Sequence, residues 1–266
     1  MTRFRTRVAA ALLAATFALG ACKSQDETIA EQPVEDLYNT AVNSLLTENY
    51  ASAARQFDEV ERQHPYSVWA TRSQLMAAYA FYMDNKYDEA ISALDRFIQL
   101  NPANRDVAYA YYLKALCYYE QISDVQRDAR MTELALAALT DVVNRFPNSV
   151  FARDARLKIE LAHDHLAGKE MEVGRFYQRQ NQYLGAINRF RTVVQRYQTT
   201  SHVPEALHRL VECYLALGLV DEARRTASVL GFNYPGSEWY ADSYALIETG
   251  RLPASDRPGW IGRMFQ

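Results

Sequence analysis

The chain has 266 residues, 49% of them hydrophobic, with 29 basic residues against 32 acidic ones and a formal net charge of −3. That is ample apolar material for a core, and the slight acidic excess argues against a nucleic-acid binder, whose footprint is basic. Gly and Pro are scarce at 10 and 8 residues, Ala, Leu, Arg, Glu and Gln are abundant, and no window shows the sustained alternation of a strand set, so the composition predicts helices.

The chain opens with Arg3, Arg5 and Arg7, followed by an apolar or small-residue run from Val8 to Leu19. A bilayer needs about 20 apolar residues, so this run is too short to span one. Basic head, apolar middle and small residues make the layout of a bacterial secretory signal over residues 1–21. Leu19-Gly20-Ala21-Cys22 resembles the lipobox of bacterial lipoproteins. That resemblance implies a cut before Cys22, a diacylated cysteine sulfur and an acylated new amine. Lys23, rather than Asp, follows, which by resemblance to lipoprotein sorting favours the outer membrane. Cleavage would remove three arginines, leaving 26 basic residues against 32 acidic ones, a net charge of −6. Residues 22–33 are then an acylated cysteine and a polar, flexible tether.

From residue 34 a repeat emerges. Tyr50, Ala53, Phe57, Val60 and Pro65 stand at offsets 0, 3, 7, 10 and 15. The first four form one stripe of a helix and the proline follows its end. The same offsets recur at Tyr87, Ala90, Leu94, Phe97 and Pro102, and at Thr132, Ala135, Leu139, Val142 and Pro147. They recur again at Tyr183, Ala186, Phe190 and Val193, with Gln198 in place of proline, and at Val220, Ala223, Ala227, Leu230 and Pro235. The steps are 37, 45, 51 and 37 residues. The pattern resembles the tetratricopeptide repeat, a helix-turn-helix unit of about 34 residues. The expected fold is an all-α solenoid of five such repeats over residues 34–248, closed by a helix over Ser237 to Glu248.

Turns repeat as well. His64-Pro65-Tyr66-Ser67, Phe146-Pro147-Asn148-Ser149 and Tyr234-Pro235-Gly236-Ser237 share an aromatic-Pro-x-Ser form. Proline stops one helix and serine caps the next. In the variant turns Asn104 and Thr200 are the expected caps. The third unit carries an insertion, Ile122 to Ala129. The fourth is longer, and Phe151 to Gln180 reads as one long helix or two joined at Gly168. Residues 249–266 hold Gly250, Pro253, Pro258, Gly259 and Gly262, so a loose tail is expected there. Trp260, Ile261, Met264 and Phe265 in that tail are either tucked on the last repeat or a short docking segment.

No catalytic constellation emerges, and no cofactor is implied. His163 and His165, at i and i+2, leave different faces of a helix and cannot grip one metal as i, i+4 can. His202 and His208 read as isolated. Glu120 and Asp124 read as solvated carboxylates. Cys117 and Cys213 sit in apolar helical stretches and read as small buried hydrophobes. There is no phosphate loop and no nucleophile elbow. A repeat array instead presents long faces for binding. Tyr38, Tyr79, Tyr82, Tyr109 and Tyr112 lie on first helices of the early units, which line the inside in this repeat class. Amphipathic rings suit peptide recognition, although part of this set is expected to pack between helices.

The whole-chain pattern resembles the BamD family, also called the competence lipoprotein family, the lipoprotein subunits of the outer-membrane β-barrel assembly machinery. The match runs from Cys22 to about Leu230. Its most specific stretches are LDRFIQLNP (Leu94 to Pro102), RFPNS (Arg145 to Ser149) and GAINRFRTVVQRY (Gly185 to Tyr197). The resemblance implies a non-enzymatic scaffold that docks on the periplasmic domains of BamA, joins other assembly-machinery lipoproteins, and helps deliver unfolded outer-membrane proteins. It implies that Arg189 pairs with an acid on BamA. It also implies substrate contact at the turn of His64 and Tyr66, with His64 where the family has a tyrosine. Another repeat lipoprotein, an adaptor for a peptidoglycan hydrolase or a pilus secretin, would share fold and anchor and is the competing reading.

Overall fold

A computed structural model describes residues 32–124 and 129–249. The predicted signal, Cys22, the tether before residue 32 and the tail beyond Thr249 lie outside the described residues. Among the described residues eleven helices follow one another: α1 Val34–Leu46, α2 Tyr50–Gln63, α3 Val68–Met83, α4 Tyr87–Leu100, α5 Val107–Tyr119, α6 Arg130–Arg145, α7 Val150–Arg179, α8 Tyr183–Arg196, α9 Val203–Ala216, α10 Val220–Asn233 and α11 Glu238–Thr249. Each packs chiefly on its sequence neighbours, so the chain is an all-α solenoid of five helix hairpins with α11 closing against α9 and α10.

The repeated stripe is the core. Ala53, Phe57 and Val60 are fully buried, and so are Ala90, Leu94, Ala135, Leu139, Val142, Ala186, Phe190, Val193, Ala223 and Leu230. Burial of each large side chain contributes about 1.5–3 kcal/mol. The alanine position lets the two helices of a unit approach closely, since any longer side chain there would prop them apart. The stripe feeds several linked clusters rather than one centre, as expected of stacked units that touch only neighbours.

Local chemistry sets the helix ends. The hydroxyl oxygen of Ser67 accepts from Ala70 N–H at 3.1 Å, and that of Ser149 from Ala152 N–H at 3.0 Å. These are the expected N-caps. The variant turns differ. Asn104 accepts from Asp106 N–H at 2.8 Å, and α5 begins only at Val107. The Thr200 hydroxyl instead donates back to the Tyr197 carbonyl at 2.8 Å, and α9 begins at Val203 with Pro204 in its first turn. Both turns are two residues longer than the serine turns, which moves the side chain out of reach of the first free N–H groups.

The fourth unit's first helix is one continuous element, the 30 residues of α7. Gly168 is buried inside it and does not divide it. At 1.5 Å per residue α7 is about 45 Å long, roughly twice its neighbours. It packs against both α6 and α8. The α8–α9 turn lies along its middle: Thr199 donates to Glu160 at 2.8 Å, and Ser201 N–H to Asp164 at 3.2 Å. The two halves of the solenoid are thereby offset along α7.

Candidate partner-binding surfaces

Three surfaces hold the residues singled out from the sequence. The first is an aromatic row on the first helices of units one to three. Tyr38 is sandwiched between Phe57, edge-on at 5.5 Å, and Trp69 at 4.7 Å. Tyr79, Tyr82 and Tyr109 pack half-buried on the α3–α5 cluster. Tyr109 and Tyr112 both meet the Phe151 ring at 5.4 Å, Tyr112 in a stacked geometry. The Tyr112 hydroxyl donates to the Asp154 carboxylate, and that of Tyr82 reaches Glu120 at 3.5 Å.

Burial, reinforced by the Glu120 charge, pushes the Tyr82 phenol up to about 12. Burial and the neighbouring Tyr79 and Tyr82 push Tyr109 to about 12. The Tyr112 phenol rises too, through burial and its bond to Asp154. These hydroxyls therefore stay protonated at any physiological pH. The row offers ring faces and neutral polar tips, the chemistry suited to an extended peptide. Trp69, Phe151 and Asp154 belong to it and escaped the sequence reading. The recurring helix starts after the Ser67 and Ser149 caps are the signal that could have found Trp69 and Phe151.

The second surface is the α2–α3 turn. Tyr66 is fully exposed, at 101% of its free surface. His64 is half-buried, with Nε2 2.8 Å from the Gln32 carbonyl. Tyr66 and Tyr82 lie at opposite ends of α3, roughly 20 Å apart. The structure thus brings Tyr38, beside Trp69, to the Tyr66 end and places Tyr79 and Tyr82 at the other.

The third surface is the outer face of α8. Arg189 is exposed there, directly before the buried Phe190 as its register requires. Its Nη1 makes a half-exposed pair with Glu170 of α7 at 3.2 Å. A separate polar network joins α7, α9 and α11, and the sequence reading missed it. His208 is not isolated. It is buried, with Nδ1 2.8 Å from Ser243 Oγ and Nε2 3.4 Å from Glu212 Oε1. Glu212 also accepts from Gln178 at 2.9 Å and Arg209 at 2.8 Å, and Arg209 lies over the Trp239 ring at 5.5 Å. Burial alone would push the Glu212 carboxyl up. The His208 bond, the charges of Arg209 and His208 and the Gln178 bond outweigh it and bring it down to about 2. The network bolts α7, α9 and α11 together.

His163 packs on Tyr197 at 5.9 Å while His165 turns to Thr132 at 3.5 Å. Among the described residues no group of three His, Cys, Asp or Glu could hold a metal ion. Cys117 and Cys213 are buried free thiols in separate clusters, each pushed up to about 12 by burial. No helix among the described residues is long and apolar enough to cross a membrane.

Residues 30–230 match the model of the YfiO family, described as an outer membrane lipoprotein. The chain is 55% identical over 250 residues to the outer membrane protein assembly factor BamD of Caulobacter vibrioides, covering 93% of this chain and 82% of that protein. It is 47% identical to the protein of that name from Rickettsia prowazekii, covering 91% and 97%. Among solved structures, the TPR2AB-domain:pHSP90 complex of yeast Sti1 aligns with a TM-score of 0.43 and 11% identity, covering 81% of this chain and 83% of that one.

Proposed function

Because the chain belongs to the YfiO family of outer membrane lipoproteins, we propose that it is a non-enzymatic scaffold of the outer-membrane protein assembly machinery. In this reading it docks on the periplasmic domains of BamA and helps recognise and insert β-barrel proteins. The observation that carries the reading is the 55% identity to the Caulobacter vibrioides assembly factor, which extends over 93% of this chain. Residues 1–21 are the signal and Cys22 the acylated anchor. Three acyl chains hold a protein firmly where one holds marginally. Residues 23–33 are the tether, and the residues after Thr249, the end of α11, are a tail outside the solenoid.

Roles follow the surfaces. Arg189 offers a guanidinium to an acid of BamA. Its pair with Glu170 is surface-exposed, worth about 0–1 kcal/mol, and so exchanges readily for a better partner. The half-buried row of Tyr79 and Tyr82, with Tyr38 at its end, takes an extended client by ring contact and neutral hydrogen bonds. His64 acts through Gln32 rather than by direct contact, and Tyr66 is the free side chain of that turn.

Affinity purification of the tagged, membrane-anchored protein in mild detergent, beside Arg189→Glu, tests this. BamA should co-purify with wild type and be depleted with the variant. Equal BamA with both removes Arg189 from the interface. A cell-wall hydrolase or secretin in place of BamA would overturn the function.

A further inference from the structure

One edge of the first three units differs from the other in charge and apolarity. Consecutive helices run antiparallel, so the α2–α3, α4–α5 and α6–α7 turns share one edge, and the α1–α2, α3–α4 and α5–α6 turns the other. The first edge carries Tyr66, Val68 at 78% exposure, Leu100 at 63% and Val150 at 70%. Of the large apolar side chains in the opposite turns, Leu46 is the exposed one among the described residues. Within two residues of the first set of turns stand Arg62, Arg105 and Arg145 against Asp106. Among the described residues of the opposite turns the balance reverses: Glu48, Asp84, Asp88, Glu120 and Asp124 against Lys86 and Arg130.

The described chain also begins at the apolar, basic edge. Gln32 N–H donates to Gln63 Oε1 at 3.2 Å, and the Gln32 carbonyl accepts from His64 Nε2 at 2.8 Å. A carbonyl can only accept, so the His64 ring carries its proton on Nε2. This two-bond clip fixes the exit of the preceding segment beside Tyr66. The ten peptide steps from Cys22 to Gln32 can span at most about 35 Å.

We propose that this edge is a lipid-facing surface, resting on the phospholipid leaflet that holds the anchor. Tyr66, Val68, Leu100 and Val150 enter the interfacial layer, where an aromatic ring with a polar tip and short apolar groups are favoured. Arg62, Arg105 and Arg145 meet the lipid phosphates. Each now holds a surface carboxylate, Glu59, Asp106 and Asp141 in turn, and such pairs exchange at little cost. The acidic edge faces away from the leaflet. The proposal rests on the lipid-anchor reading above.

Nitroxide labels placed by Tyr66→Cys, Val150→Cys and, on the far edge, Asp88→Cys test it. Cys117 and Cys213 are buried and leave these sites distinct. The acylated full chain is reconstituted in phosphatidylethanolamine–phosphatidylglycerol vesicles, and collision with oxygen and with a water-soluble nickel complex is measured. Labels at 66 and 150 should lose nickel access severalfold and gain oxygen access, while that at 88 should not. Mass spectrometry of the same sample reports lipid on Cys22. Lipid present with all three labels in water overturns the lipid-facing edge alone. Protection of 66 and 150 only after an unfolded barrel protein is added assigns the edge to clients and overturns it too. An unlipidated Cys22 overturns the anchor reading and the edge with it.

Discussion

Gly174 carries a demand that helix propensity does not explain. A Cβ there would stand 2.4 Å from the Phe190 ring, a distance no real contact tolerates. Phe190 is fully buried, so its ring has nowhere to turn. Gly174→Ala gains helix propensity yet should lose about 1–3 kcal/mol net through overpacking, read as a lower urea midpoint. Glu212 makes the opposite case, a charge held in the interior by its partners. Its partners hold its carboxyl down to about 2, below the ordinary value of 4.5, so its contribution is full above pH 4.5 and lost as pH falls towards 2. A shift of that size corresponds to about 3 kcal/mol. Glu212→Gln should therefore be less stable than wild type at pH 7 by that order, with the gap closing between pH 4.5 and 2. Urea titrations at several pH values check both magnitude and direction.

At the scale of elements, the tight turn within a unit has a fixed backbone. Glu48, Asn85, Asn181 and Gly218 all adopt positive φ, at 60°, 58°, 59° and 76°. Each precedes the first stripe residue, Tyr50, Tyr87, Tyr183 or Val220, by two positions. This left-handed conformation costs an ordinary residue roughly 1–2 kcal/mol, and Gly and Asn least. Glu48→Gly should raise stability by about 1 kcal/mol, seen as a higher melting temperature, whereas Asn85→Val should lower it. Ser149→Ala should cost about 1 kcal/mol by uncapping α7.

The stripe itself was legible in the sequence because burial imposes a spacing, and Ala53, Phe57 and Val60 announce it without any structure. The serine caps were legible for the same reason, being local. The left-handed positions were harder to see because Glu48 does not look like Asn or Gly. His208 and Glu212 stand at i, i+4 on α9, a spacing the sequence offers, but their joining to Ser243 was not legible. Ser243 lies on α11, and only tertiary packing shows that they meet. Tyr38 and Tyr112 show a similar limit: their residue type suggested a binding face, but that their rings meet Trp69 and Phe151 depends on neighbours far along the chain. Continuity of α7 through Gly168 was left open by the sequence, because a single glycine costs only about 1 kcal/mol in a helix and packing on both sides outweighs it.

At the scale of the molecule, α7 offsets two short arrays and gives them separate surfaces. The first array carries the aromatic row and the edge beside Tyr66, and the second carries Arg189 and the buried bolt through α9 and α11. A scaffold that must hold a partner and a client at once needs such a separation. The Gly174→Ala and Glu212→Gln changes fall in the second array, so they should weaken BamA retention in a pull-down before they affect the aromatic row of the first.

Depletion of the protein in its own cell tests most directly whether it serves barrel assembly. Folded outer-membrane β-barrels would be quantified by their heat-modifiable mobility on gels as the protein is withdrawn. Folded barrels should fall while unfolded forms accumulate, and expression of wild type should restore them. Unchanged folded barrels after full depletion would contradict a role in barrel assembly.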